Sequence, residues 1–342
     1  MKLGFGLITC QRHPADTRSD VELYQQAIEL AVEAEELGFD SVWVSEHHFL
    51  DDAYMPSLLP VLAALAARTR SIRLGTALLL APLYDPLRLA EDAATVDLLS
   101  GGRLTLGLGL GWREEEFDAL GVAMSERAAR LEGTVEVLRR AWDGDLVEGA
   151  MGPFSYDAVA VRPRPAQDGG PPLWIGAMAE RAVRRAGRIA DGFMATEVTP
   201  ASFATQIAWL RQAAEAAGRD PGALSLSLHL PTFAWPGSDA WQRVSPHHHY
   251  VDWKYVDMEE ARRRGGAPSG PPPLSAADEA RLREGILVGR PEDVAEQIDR
   301  FRAVGGDDLE YIARLYWPGM DLAVQRETLH VFAERVAPLL RG

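Results

Sequence analysis

Eight short apolar runs punctuate this chain, and each leads into a longer segment whose apolar residues recur at helical spacing. The runs fall at 3–9, 41–45, 72–80, 104–110, 173–176, 192–196, 224–233 and 309–315. The helical segments fall at 20–37, 57–70, 86–99, 125–142, 179–189, 201–217, 291–304 and 321–340. In the first of them Val21, Tyr24, Ile28 and Val32 mark one face, Asp20 stands where an N-cap belongs, and Gly38 stops the helix. Parallel strands need a crossover between neighbours, and a helix supplies it. Eight strand–helix repeats therefore predict an α/β fold of the closed (β/α)8 TIM-barrel type; an open doubly wound sheet rarely uses eight even units. The pattern breaks twice, which predicts insertions after strands 4 and 7. Residues 146–162 read as a hairpin leading into a Pro- and Gly-rich linker, and about 234–274 as a long irregular loop. The whole of 1–342 reads as one domain, with about 240–285 as a candidate mobile lid.

Charge and cysteine usage remove several function classes. Thirty-five basic against 50 acidic residues leave a net charge of −15, a field that disfavours nucleic acid and anionic membrane as partners. Lys2 and Lys254 are the two lysines, so an anion site must use arginine or backbone N–H groups. The single cysteine, Cys10, excludes an intramolecular disulfide and any multi-thiolate metal site. MKLGFGLITC runs into a strand pattern without the features of a signal peptide, and no apolar stretch reaches the ~18 residues of a membrane span. A cytoplasmic protein is expected.

In a barrel of this kind chemistry sits at the C-terminal strand ends. The second strand ends in VWVSEHHF (42–49), which presents Glu46, His47 and His48 in succession. A neutral imidazole can hydrogen-bond a cofactor ring or accept a proton, and the adjacent carboxylate can fix its tautomer. Neighbouring strand residues face opposite ways, so Glu-His-His is a poor metal set, and no metal site is expected. The run RLTLGLGLGW (103–112) sets Gly107, Gly109 and Gly111 at period two, which either admits a flat ligand or relieves crowding inside the barrel. In PPLWIGAMAERAVRRAGR (171–188) a strand turns into a helix whose start can bind phosphate. Arg181 lies nearest that start; Arg185 and Arg188 read as a solvated face. Phe49, Trp235, His248 and Trp253 are candidates for a substrate pocket or lid, with Tyr54 and Trp317 as further aromatic candidates. The tract His247–His249 reads either as lid, as solvated loop or as a metal tract.

These segments stand in one order that resembles the bacterial luciferase-like flavin-dependent monooxygenases over nearly the whole chain. ELGFDSVWVSEHHF (36–49), the third and fourth units (72–117), PPLWIGAMAE (171–180) and GILVGRPEDVAEQIDRF (285–301) carry the resemblance. It implies a catalytic role for His47 in stabilising a flavin peroxide. It also implies that Ala77-Leu78 is a pair beside the flavin ring, often joined by a cis peptide, and that Gly176, Ala177 and Met178 surround the phosphate. Together with Glu46, Thr76, Gly109 and Arg181 these are the candidate cofactor residues. Luciferase itself carries a phosphate-binding arginine where this chain has Leu110, which leaves Arg113 or Arg181 for that task. The activity implied is that of a two-component monooxygenase. Reduced FMN comes from a separate NAD(P)H-dependent flavin reductase and reacts with O2 to a C4a-peroxyflavin, which oxygenates a small organic, partly hydrophobic substrate. A homodimer through early helices is implied too, with 57–67 as the suspected face. The alternative within the superfamily is an F420-dependent hydride-transfer oxidoreductase, which a basic channel near Arg181 would favour. A metal-dependent barrel hydrolase and a non-catalytic flavin-binding protein are the readings from other classes.

Overall fold

The computed structural model describes residues 1–264 and 270–341. Its strands are β1 (Lys2–Ile8), β2 (Ser41–Val44), β3 (Arg73–Thr76), β4 (Leu104–Leu108), β5 (Val147–Met151), β6 (Phe154–Val159), β7 (Leu173–Gly176), β8 (Gly192–Thr196), β9 (Ser225–Ala234), β10 (Leu287–Gly289) and β11 (Glu310–Arg314). Its helices are α1 (Asp20–Glu36), α2 (Leu58–Arg68), α3 (Pro86–Ser100), α4 (Glu114–Ala119), α5 (Arg127–Asp143), α6 (Glu180–Ile189), α7 (Pro200–Ala216), α8 (Ala240–Arg264), α9 (Ala276–Glu284), α10 (Pro291–Gly305), α11 (Leu322–Val331) and α12 (Ala337–Arg341). The parallel order β11-β1-β2-β3-β4-β7-β8-β9 closes where β9 pairs with β11, and β5 and β6 form a separate antiparallel hairpin. This is the (β/α)8 barrel with insertions after its fourth and seventh strands. No helix among the described residues is long and apolar enough to cross a membrane.

Strand alternation divides each barrel strand between two cores. Outward residues such as Leu3, Phe5, Val42, Val44, Tyr311 and Ala313 pack against the helices. Inward residues Trp43, Trp174, Met194 and Ile312 cluster on the axis, with the Trp43 and Trp174 rings stacked at 5.3 Å between centroids. Room for these indoles comes from glycine: a Cβ on Gly75 would lie 2.2 Å from Trp43, and one on Gly192 2.5 Å from Trp174. Below them the buried Glu310 accepts hydrogen bonds from Ser41 Oγ and Trp43 Nε1. The barrel is thus plugged at its floor, and ligands have access from the C-terminal mouth.

The structure departs from the sequence expectations in several places. The N-cap of α1 is Ser19, not Asp20, in a capping box with Glu22. Residues 114–119 form the short helix α4, and β10 adds a strand beside the end of β9. The expected loop of 234–274 is largely the 25-residue helix α8, which runs through Pro246. Its core stripe is Trp241, Val244, His248, Val251 and Met258, with Tyr255 half-buried among them. The spacing alternates three and four, the period of a helix face. A histidine on that stripe, and the polar residues around it, hid the period. Residues 265–269 of the expected lid lie outside the described residues.

Candidate active site

The mouth is built around the end of β2. The chain there buries Glu46 and His47 and leaves His48 half-buried, and two carboxylates take up the two imidazoles. The pairing is not the expected one. His47 Nδ1 lies 2.9 Å from Glu116 Oε1, a residue of α4's first turn, whereas Glu46 Oε1 lies 2.6 Å from His48 Nε2. Glu116 Oε1 also accepts from the His48 backbone N–H at 2.9 Å. Burial alone would raise the Glu116 carboxyl, but the His47 and His48 bonds and the Arg113 charge hold it below the ordinary carboxylate range. An ionised carboxylate only accepts, so Nδ1 carries a proton and Nε2 is the nitrogen turned away from Glu116. His47 Nε2 has no partner among the described residues. Tyr54, Tyr255 and Trp112 wall the ring edge-on at 4.9, 5.7 and 5.8 Å between centroids. Tyr54 donates to Ser45 Oγ at 2.9 Å and stands 3.3 Å from the Tyr255 hydroxyl, which ties α8 to the barrel mouth.

Glu46 has a fastening function instead. Its second oxygen accepts from the Tyr84 hydroxyl at 3.2 Å and faces the Leu80 N–H at 3.4 Å. Burial raises its carboxyl, and the same contact raises His48 against the downward pull of burial. Arg113, buried, donates through Nη1 to the His48 carbonyl at 2.7 Å and so takes part in this fastening.

The third-strand candidates lie at the mouth, and the cis peptide that the resemblance implies between Ala77 and Leu78 is present. Thr76 Oγ1 donates to the Gly107 carbonyl at 2.8 Å. Leu78 extends over the neighbouring strands: a Cβ on Gly176 would lie 2.2 Å from its side chain, and one on Gly109 3.1 Å. The glycines of β4 and β7 therefore accommodate Leu78 and the strand backbone; relief of crowding is the reading the structure supports. Gly176, Ala177 and Met178 lead to the start of α6, where no side chain caps the helix, Met178 is half-exposed, and Arg181 is exposed in the first turn. The remaining arginines of this helix are paired: Arg184 with Glu180 at 2.7 Å, and Arg185 and Arg188 with Glu132 at 2.6 and 3.6 Å. Arg185 is buried, so the solvated-face expectation fails for it.

The substrate and lid candidates are scattered. Phe49 is 59 % exposed, with a positive φ, on the outer side of the segment. Trp235 is packed against Phe233 and under the Arg243 guanidinium, among Trp241, Leu282 and Trp317, so it belongs to the footing of α8 rather than to an open pocket wall. His248 donates through Nε2 to the Leu282 carbonyl at 3.2 Å; burial lowers it to about 4 and keeps it neutral. His247 turns instead to the Pro318 carbonyl, so the tract does not converge on one point. Trp253 lies half-buried beside Tyr250 on a cleft of about 190 Å³ that Arg12, His13, Asp51 and Asp52 also line. A second groove, about 600 Å³, lies outside the barrel along α5 and α6, and its charged residues Arg139 and Arg188 are paired with Asp191 and Glu132.

A carboxylate-oriented histidine in an aromatic-walled mouth, over a barrel plugged from below, defines a TIM-barrel enzyme. The chain belongs to the luciferase-like monooxygenase family, whose profile matches residues 2–308. It is 32 % identical over 333 residues to an F420-dependent glucose-6-phosphate dehydrogenase of Nakamurella multipartita, covering 92 % of each chain. It is 31 % identical over 176 residues to the oxygenase component of a flavin-dependent trigonelline monooxygenase of Acinetobacter baylyi, a match that spans about half of each protein. Among solved structures, the monooxygenase RslO1 of Streptomyces bottropensis superposes with a TM-score of 0.85 at 27 % identity, covering 99 % of both chains. These relatives are dehydrogenases and monooxygenases; the chain is an oxidoreductase.

Glu116 was not among the residues singled out from sequence, although WREEEF follows the fourth strand directly. His229 was also passed over, and Arg314 lies in a strand-end segment, 314–317, that position selects but to which no role was given; both stand at inward positions, His229 midway along β9 and Arg314 at the end of β11.

Proposed function

We propose that this protein is the oxygenase component of a two-component, flavin-dependent monooxygenase. It would take reduced FMN from a separate NAD(P)H-dependent reductase and use O2 to oxygenate a small, partly hydrophobic organic molecule. The observation that carries the reading is the charge at the cofactor end of the mouth. Of the arginines on α6 only Arg181 lacks an acidic partner among the described residues. One free guanidinium beside an uncapped helix start suits one phosphate. It offers no basic channel for the long anionic tail of F420.

The residues present fit FMN on that count. Gly176, Ala177, Met178 and Arg181 would hold its phosphate, and the mouth between Leu78 and His47 would take its ring. Bound reduced FMN supplies the electrons and the reactive centre for O2. The chain supplies the surroundings. His47 Nε2 offers a hydrogen-bonding and proton-accepting atom, held in one tautomer by Glu116. Tyr54, Tyr255 and Trp112 wall the ring that carries that atom, and a bound cofactor and substrate would complete the exclusion of water. The insertion α8 closes the mouth from above, as a lid anchored through Tyr255 and His248. A homodimer would use the outward face of α2, where Pro60, Ala64 and Ala67 recur at helical spacing with Pro60 and Ala67 exposed.

The second reading, an F420-dependent hydride-transfer enzyme, is favoured by the near full-length match to the Nakamurella dehydrogenase. Anaerobic titration of the purified chain with reduced FMN and with reduced F420 separates the two. The monooxygenase reading expects tighter binding of reduced FMN, weakened about tenfold in Arg181→Ala. Tighter binding of F420 overturns it in favour of the second.

A further inference from the structure

On β11 the residues alternate between the two cores. Tyr311 and Ala313 face the helices, while Glu310 and Ile312 face the axis. Arg314 continues the inward series and is the uppermost member, one layer above Ile312. It is 8 % exposed, and its Nε and Nη2 are both buried without a hydrogen-bond partner. No carboxylate among the described residues pairs with it. Its neighbours in register are Gly6 of β1 and Pro231 of β9, which bring no acceptor side chain.

The groups that feel its charge are the neutral side chains Tyr54, His229 and His248. Burial and the guanidinium charge hold His229 at about 3, so it adds no second cation. Thr196 Oγ1 lies 3.4 Å from His229 Nδ1 and completes a polar rim. The apolar surroundings are the Trp43, Trp174 and Ile312 plug beneath and the Tyr54–Tyr255 wall beside. A fixed, unpaired, buried cation is costly to a fold and is kept where a ligand brings the counter-charge.

The unpartnered atoms define the ligand's chemistry. Nε–H and Nη2–H form one edge of the guanidinium, with parallel bonds that match the two oxygens of a carboxylate. We propose that Arg314 is the specificity-determining residue of the substrate site. It would hold, through that edge, the carboxylate of a small organic acid whose apolar body lies against the tyrosine wall. This names the substrate class of the oxidoreductase site proposed above and rests on that reading. The anion belongs to the substrate rather than to the cofactor, because Arg314 stands three strands around the barrel from the Gly176–Arg181 turn.

The test uses the full chain without cofactor, so it does not depend on turnover. Benzoate, nicotinate and octanoate are each compared with benzamide, nicotinamide and octanamide by thermal shift and calorimetry, on the native chain, Arg314→Met and Arg314→Lys. At least one acid is expected to bind about tenfold or more tighter than its amide to the native chain, the worth of a charge-assisted pair. That preference disappears in Arg314→Met and is weakened in Arg314→Lys, which keeps the charge but not the parallel donors. Arg314→Met without ligand melts no lower than the native chain, since it removes an unpaired charge. Three results overturn the proposal: no acid preferred over its amide in any pair, a preference that survives Arg314→Met, or a ligand-free Arg314→Met that melts well below the native chain. Titration of reduced FMN into Arg314→Met supplies the remaining arm. Affinity within threefold of native assigns the anion to the substrate, and a loss of tenfold or more assigns Arg314 to the cofactor and overturns the substrate assignment. If the acid preference holds while reduced FMN fails to bind the native chain, the cofactor reading falls and the anion site stands.

Discussion

Removing the Glu116 carboxylate should uncouple His47 from its tautomer at a measurable cost in stability. Glu116 Oε1 serves two donors, His47 Nδ1–H and the His48 backbone N–H, each at 2.9 Å in a buried site. In Glu116→Ala both donors lose their acceptor. An unsatisfied buried donor costs about 1–3 kcal/mol, so the pair costs about 2–6 kcal/mol. With an unfolding entropy near 2 cal/mol/K per residue, a chain of this length loses about 3–9 °C in Tm. Glu116→Gln keeps an acceptor oxygen, but its amide N–H2 replaces Oε2, which is buried without a partner. It should therefore lose less stability than alanine and retain the Nδ1–H tautomer. The assay is differential scanning calorimetry of the three proteins, with the ¹⁵N shifts of His47 read in the same samples. The native chain and Glu116→Gln should show Nδ1 protonated, and Glu116→Ala should show a mixture or the Nε2–H form. Coupling of flavin oxidation to product should fall about ten- to a hundredfold in Glu116→Ala, as expected for loss of a charge-assisted bond. Unchanged ¹⁵N shifts and a Tm within 1 °C of native in Glu116→Ala would refute the reasoning.

Three further outcomes follow from the same contacts. Gly75→Ala forces a methyl into the Trp43 ring, 2.2 Å away, beneath the stacked Trp174; overpacking of about 1–3 kcal/mol should lower Tm by roughly 1–4 °C, seen by calorimetry. His248, lowered to about 4 by burial, stays neutral in the fold while the unfolded chain takes up a proton near pH 6.5. Its contribution to stability is therefore present above pH 6.5 and lost as pH falls toward 4, at up to about 1.4 kcal/mol per pH unit. His248→Gln should remove that component, so that the Tm gap between native and variant narrows by about 3 °C from pH 7 to pH 5; a gap independent of pH counts against it. Replacing His47 with alanine should leave reduced-FMN affinity within about threefold while diverting most consumed O2 to hydrogen peroxide, measured by a peroxide assay, because Nε2 stands at the mouth and not at the phosphate end.

Period and order made the barrel legible in the sequence: eight apolar runs, eight helical segments and the two interruptions were all found where the structure has them. The placement of EHHF at the barrel mouth was legible for the same reason, since it follows the second strand directly. What escaped notice depended on contacts between distant segments. Glu116 lies 69 residues from His47, and nothing local distinguishes it from Glu114 and Glu115. Adjacency suggested Glu46 as the partner of His47, but on a strand adjacent side chains diverge, and Glu46 meets His48 two residues on. The α8 stripe was obscured because His248 fills a core position among aromatic and aliphatic residues. Gly107 and Gly109 were ambiguous because what fills the space beside them, the Thr76 carbonyl and Leu78, comes from another βα unit.

The central claim, that the mouth is an oxygenase site for reduced FMN, is tested most directly by rapid mixing of the anaerobic chain–reduced FMN complex with oxygenated buffer. The account predicts that bound flavin reoxidises through a course distinct from that of free flavin, and that His47→Ala changes that course without releasing the flavin. Reoxidation indistinguishable from free FMN, together with tight binding of F420, would contradict it.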